Sequence, residues 1–300
     1  MTYTAWIILT GVLVGVTCGM TGALLILRRM AMIADAISHT VLLGIVGAFF
    51  VTQSLNGIPM LIGAAIVGML TAFFVQLLDS SGVQSGAAIG VVFTSLFALG
   101  VVLLSFIGDS VHLDVQHALM GEIAFVPWDT LILGGKEAGP VAVWMLSGVF
   151  LLNLAIILIF YKEFKISTFD PQMAISIGVP VVFIHYLLMS MVSFSTVASF
   201  DSVGAILVVA MLIVPGATAY LLTDRFGLMI ILSAVIGAVS ALLGYGFAVV
   251  MDVSIAGSMA TATGFLFGLA FFFSPSHGLI AKWVRRKNMQ KNLNDEARVS

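Results

Sequence analysis

Asp35 and His39 stand four residues apart in the stretch "MAMIADAISHTVLLGI" (30–45), which is otherwise apolar. On a helix that spacing puts both side chains on one face, one turn apart, with Ser38 beside them. A carboxylate oxygen and an imidazole nitrogen are suitable ligands for Mn²⁺, Fe²⁺ or Zn²⁺. Two ligands make a weak site, which suits an ion that must leave as well as enter. The pair alone leaves a second reading open, in which the two side chains hydrogen-bond each other and pin their helix to its neighbours. Other polar candidates carry less. His185 reads first as a packing histidine, and Asp201 with Ser202 as a solvated helix cap; a place on the same path is the lesser reading of His185 and Asp201. His112, Asp114, His117 and Glu122 in one outer segment could build a metal trap or meet a binding protein, but "HALMGEIAFV" (117–126) reads first as an amphipathic helix lying along the bundle. No His-Glu-x-x-His motif occurs, so a membrane-embedded metalloenzyme lacks the ligand set it would need.

The elements that must position these residues follow from composition. Of 300 residues, 61% are apolar and 9% charged, against about half and a quarter in soluble domains. The sequence is therefore that of an integral membrane protein with many spans, each needing roughly 20 apolar residues. Such windows fall near 5–27, 34–53, 58–78, 87–107, 140–161, 180–199, 203–222, 227–250 and 257–274. Nine spans result, or eight if the first two are tilted or broken around Arg28. The first apolar run lacks an A-x-A-like cleavage site and reads as a retained span. Cys18 is the single cysteine, so no intrachain disulfide can form. A net charge of −2 gives no hint of nucleic-acid binding.

Lys and Arg accumulate on cytoplasmic loops. With nine alternating spans, eleven of the 12 basic residues fall on one side and only Lys136 lies opposite. The N-terminus is then outside and the C-terminus cytoplasmic; an eight-span chain with the same C-terminus begins inside. Glycines recur at small-xxx-small spacing: Gly11, Gly15 and Gly19, Gly86 and Gly90, Gly264 and Gly268. This pattern lets helix backbones approach closely, and it is expected to serve packing within one bundle rather than a dedicated dimer face.

The inner segment "YKEFKISTFDPQMAISIGVP" (161–180) is too long for a simple turn. Asp170 followed by Pro171 starts a helix, with the carboxylate as N-cap and proline at the first helical position. Gly178 suits the C-terminal cap, and Pro180 prevents continuation into the next span. A helix of about two turns is expected, serving either as a plain connector or as a docking element. In the second case Phe169, Met173 and Ile177 offer an apolar face to a soluble partner.

Four stretches carry a resemblance to a known family: "LRRMAMIADAISHTVLLGI" (27–45), "LMGEIAFV" (119–126), "TFDPQMAISIGVP" (168–180) and "SVGAILVVAMLIVPGATAYLL" (202–222). In these the chain resembles the integral membrane permeases of bacterial ATP-binding-cassette importers for manganese, zinc or iron, the ABC-3 type. In that family "GDALSH"-type motifs mark the start of the second helix; here Ala34 stands where glycine is frequent, and both candidate ligands are kept. The resemblance implies an all-α polytopic bundle like that of type II importers, with a permease domain over 1–280 and a cytoplasmic tail over 281–300 expected to be disordered. It also implies that the helix at about 168–178 is the coupling helix, seated in a groove of a cytoplasmic ATPase; Ala174-x-x-x-Gly178 matches the small-residue pattern of such helices. The chain has no G-x-x-x-x-G-K-[ST] sequence and so cannot build the phosphate-cradling loop itself.

The reading is a non-enzymatic transport subunit in the bacterial cytoplasmic membrane, with no permanently bound cofactor. Its cargo is a divalent metal ion, Mn²⁺ first and Zn²⁺ or Fe²⁺ as alternatives. Its expected partners are ATPase subunits, an extracellular metal-binding protein and a second permease copy or paralogue. The rival is a secondary metal transporter driven by an ion gradient.

Overall fold

The computed structural model of the chain describes residues 2–53, 57–107, 123–133, 136–274 and 278. The outer candidates His112, Asp114, His117 and Glu122 lie outside the described residues, as does the 281–300 tail. Eleven α-helices are described: α1 (Tyr3–Leu27), α2 (Ala31–Thr52), α3 (Gly57–Ser80), α4 (Ser85–Ile107), α5 (Val141–Ile159), α6 (Tyr161–Phe169), α7 (Pro171–Ser176), α8 (Val181–Val203), α9 (Ala205–Leu222), α10 (Phe226–Met251) and α11 (Ile255–Phe273). Nine of them are long and apolar enough to cross a membrane; only α6 and α7 are not. Arg28 separates two full-length helices and breaks neither.

A feature not expected from the sequence lies between α4 and α5. A 3-10 turn (Ile123–Trp128) leads into an antiparallel pair, β1 (Thr130–Leu133) and β2 (Lys136–Pro140), with Thr130 opposite Pro140 and Leu133 opposite Lys136. The start of α1 holds this segment. The Tyr3 hydroxyl donates to the Ala124 carbonyl, and the Trp6 ring lies so near Gly139 that a Cβ there would meet it at 2.6 Å.

The opposite end of the bundle gathers the basic residues. Arg28 reaches α6, the Tyr161 and Phe169 rings meet Phe226, and Arg225 immediately precedes α10. Arg28, Arg29, Lys162, Lys165 and Arg225 thus share one end, while Lys136 sits at the other, as the charge pattern requires.

Within the bundle, α1 packs on α9 and α10, whereas α2 packs on α3 and α4; α8 bridges the two groups. Close approach explains the first of these contacts. A Cβ on Gly15 would lie 2.5 Å from the Gly237 carbonyl oxygen, and one on Gly22 would lie 1.6 Å from that of Leu212. The ridge of Gly11, Gly15 and Gly19 therefore packs within the bundle as expected. Gly86, Gly90, Gly264 and Gly268 do not, for a Cβ at any of them meets nothing within 4 Å. Their spacing is the same, but they lie on faces of α4 and α11 where the described residues supply no neighbour.

The interior is partly polar. Ser193, Ser195, Thr196 and Ser199 of α8 are all buried. Asn153 of α5 donates to Ser195 Oγ at 2.7 Å, and Thr40 of α2 shares a 2.8 Å bond with Thr71 of α3. Bonds of this kind join helices in a solvent that offers polar groups no alternative partner.

Candidate functional site

α2 begins just past Arg28 and Arg29, so Asp35 and His39 lie about 6 and 12 Å along it from the basic end at 1.5 Å per residue. Their side chains share a face: His39 Nε2 is 3.6 Å from Asp35 Oδ1. That is longer than a hydrogen bond and within ion-pair distance when the imidazole is protonated. The imidazole is fixed instead by α4, with the Phe93 and Phe97 ring centroids 5.1 and 6.1 Å away. The Asp35 side chain remains 55% exposed and accepts no hydrogen bond among the described residues. A carboxylate left open in an apolar helix is costly unless a water path, a second copy or a cation meets it.

The other candidates are placed differently. Ser38 is buried, and its hydroxyl donates to the Asp35 carbonyl oxygen at 2.7 Å. It faces the interior, away from the open carboxylate. His185, in the second turn of α8, meets the Tyr186 ring edge-on at 5.4 Å between centroids and lies close enough to Arg28 for the two to interact electrostatically. Asp201 belongs to the last turn of α8, and its side chain is outside the described ones. Among the described residues, no three His, Cys, Asp or Glu side chains gather in one place. Among the described residues, Asp35 and His39 thus stand as a pair rather than as part of a larger cluster.

The inner segment forms an elbow of two short helices. Asp170 caps α7, its Oδ1 accepting from Met173 N–H at 2.9 Å, with Pro171 at the first position. At the other end Gly178 adopts φ +85°, the left-handed conformation that favours glycine. Gly178 N–H donates to Ile175 O (3.0 Å) and Val179 N–H to Ala174 O (2.9 Å), a doubly bonded C-terminal cap. Both ends are thus as the sequence indicates, although the regular helix is only six residues long. Ala174 is fully buried, while Phe169, Met173 and Ile177 are each more than half exposed, with Ile175 beside them. An apolar surface is thereby presented at the basic end of the molecule.

Sequence reasoning missed α6 and what it holds. The Arg28 guanidinium donates from Nη2 to Ser167 Oγ (2.7 Å) and from Nε to Thr168 Oγ1 (3.1 Å). It also lies over the Phe164 ring, 6.0 Å from its centroid. The signal was present as an arginine beside an apolar helix end, but its partners stand some 140 positions away.

The model of the ABC 3 transport family matches residues 1–274. The chain belongs to that family. It is 65% identical over 291 residues, 97% of this chain and 99% of the other, to the manganese transport system membrane protein MntD of Bacillus subtilis (strain 168). It is 40% identical over 288 residues, 96% of this chain and 78% of the other, to the zinc transport system membrane protein TroD of Treponema pallidum (strain Nichols). The solved structure of PsaBC from Streptococcus pneumoniae in complex with Fab superposes with a TM-score of 0.78 at 32% identity, covering 96% of each chain. The expected type of bundle is therefore the observed one, from the first helix to the last.

Proposed function

We propose that this chain is the membrane permease of an ATP-driven importer for a divalent transition-metal ion, manganese in the first place and zinc or iron as alternatives. The observation that carries this is the Asp35–His39 pair: an exposed carboxylate and an imidazole 3.6 Å apart on the open face of a membrane helix. Oxygen and nitrogen donors suit these ions. The 65% identity to a manganese transport protein favours Mn²⁺, and the 40% identity to a zinc transport protein keeps Zn²⁺ in view. Two copies of the permease, or this chain and a paralogue, would bring up to four ligands around a shared path lined by α2. The capped helix α7 docks a separate ATPase through the exposed Phe169, Met173 and Ile177, with Asp170, Pro171 and Gly178 setting its ends and Ala174, expected to take part, turned into the bundle instead; an extracellular binding protein delivers the ion. The chain itself performs no chemistry. It sits in the bacterial cytoplasmic membrane with α7 and the C-terminus on the cytoplasmic side.

Uptake of radioactive Mn²⁺ into proteoliposomes holding the permease, its ATPase and the binding protein tests the reading. Uptake should stop when ATP is omitted and persist when the proton gradient is collapsed. The reverse pattern would establish the gradient-coupled alternative instead.

A further inference from the structure

Arg28 is a cation in an unusual setting. Its burial pushes the guanidinium down to about 10, so it stays charged at neutral pH. Among the described residues no carboxylate pairs with it. Its partners are two neutral hydroxyls, Ser167 and Thr168, and the buried ring of Phe164. A carboxylate would neutralise the charge and fix it in place, because breaking a buried ion pair leaves an uncompensated charge. The two hydroxyls leave the charge unneutralised, yet two hydrogen bonds from one guanidinium tie residue 28 to the last turn of α6.

The location of this contact gives it a consequence. Residues 28–30 join two groups of helices that pack on different neighbours: α1 is clamped to α9 and α10, and α2 belongs with α3 and α4. Arg29 lies at φ +58°, a left-handed conformation costly for a residue with a Cβ. The backbone is thus sharply bent where the two groups meet. Ser167 and Thr168 form the last turn of α6, directly before the Asp170 cap of the docking helix. One side chain therefore touches the elbow while its own backbone leads, seven residues on, to Asp35.

We infer that Arg28 is a positioning residue that passes displacement of the α6–α7 elbow to the start of α2, and so to Asp35 and His39. The inference rests on the proposed reading of α7 as the ATPase-docking helix and of Asp35 and His39 as metal ligands. When the ATPase shifts the elbow, the hydroxyls of Ser167 and Thr168 carry the guanidinium with them. The bend at 28–30 converts that pull into a tilt of α2 against the anchored α1. Because the same contact works in both directions, a metal ion held at Asp35 and His39 biases the elbow and hence the ATPase.

The test uses the complete transporter in proteoliposomes, with three readouts: ATPase co-purified with the permease, ATP turnover, and Mn²⁺ moved per ATP. Arg28→Gln and the double variant Ser167→Ala/Thr168→Ala should each retain the ATPase and its basal turnover. In each, Mn²⁺ per ATP should fall about tenfold, the scale of one lost charge-assisted bond. Combining the changes should add little, since all of them remove the same contact. Arg28→Lys, which keeps the charge but cannot reach both hydroxyls at once, should recover part of the ratio. If Arg28→Gln yields little folded protein, the milder hydroxyl variants carry the test. Normal Mn²⁺ per ATP in the hydroxyl variants, or losses that simply add, would overturn the role of Arg28. Transport by the unmodified complex without ATP would instead overturn the reading on which it rests.

Discussion

Asp35 owes its exposure to its neighbours. Ala34 and Ala36 on either side are buried, and Ser38 turns inward to the backbone, so the carboxylate alone is left on the outer face of that turn. Because it makes no hydrogen bond within the described protomer, replacing it removes nothing that holds the bundle together. Asp35→Asn should leave the amount of folded protein and its pairing with the ATPase unchanged, since changes at exposed sites usually stay within about 0.5 kcal/mol. Uptake of Mn²⁺ should nevertheless collapse, by more than the roughly 10–100-fold typical of losing a partner one shell further from a metal. His39→Ala should lose uptake similarly, with a small cost in stability because its ring packs on Phe93 and Phe97. Near-normal Mn²⁺ uptake per folded complex in Asp35→Asn would remove the ligand assignment. The pair was legible in the sequence because a carboxylate and an imidazole are conspicuous in an apolar run. The inward turn of Ser38 was not, for helical spacing gives a side chain's direction only to within about a turn. Nor was the contact of Arg28 with Ser167 and Thr168, which exists only once α1 and α6 meet in the fold.

Local signals fixed α7 but not the helix before it. An aspartate cap, a proline at the first position and a glycine at the end are chemical instructions acting over a few residues, and all three appear in the structure. The α6 stretch "YKEFKISTF" has no such start or stop signal, and its Ile and Thr are weak helix formers. It is helical because Phe164 and Ser167 are drawn into the bundle, a tertiary cause that the local sequence does not display. The elbow should therefore be sensitive in function before it is sensitive in stability. Asp170→Ala removes a cap worth about 1 kcal/mol, and Gly178→Leu puts a side chain into a left-handed conformation. Both variants should insert and fold, yet hydrolyse ATP without moving metal in proportion. Unaltered Mn²⁺ transport per ATP in both would exclude α7 as the docking element. The glycine ridges divide in the same physical way. Gly22→Ala should abolish the folded protein, because its Cβ would fall 1.6 Å from the Leu212 carbonyl oxygen. Gly264→Ala should not alter the yield of folded protomer measured by fluorescence-detected size exclusion, since nothing lies within 4 Å. Sequence spacing could not separate the two, for it records that a glycine recurs and not which neighbour faces it.

At the scale of the whole molecule, nine apolar helices among the described residues run between two unlike ends. One end holds the 3-10 turn, the β1–β2 pair and the start of α1; the other holds Arg28, the α6–α7 elbow and Arg225. The asymmetry of positive charge predicts which end faces the cytoplasm, because Lys and Arg are retained on that side during insertion. Thr2 and Gln172 are both exposed and lie at opposite ends. In a Cys18→Ala background, which removes the one native thiol, a cysteine at position 172 should be labelled by a membrane-impermeant maleimide only after the cytoplasmic face is opened. A cysteine at position 2 should be labelled in intact cells. Nine crossings require the two positions to fall on opposite sides, and an eight-crossing arrangement places them together. The docking helix can meet an ATPase only from the cytoplasm, so labelling of position 172 in intact cells would overturn the orientation and the proposed coupling at once.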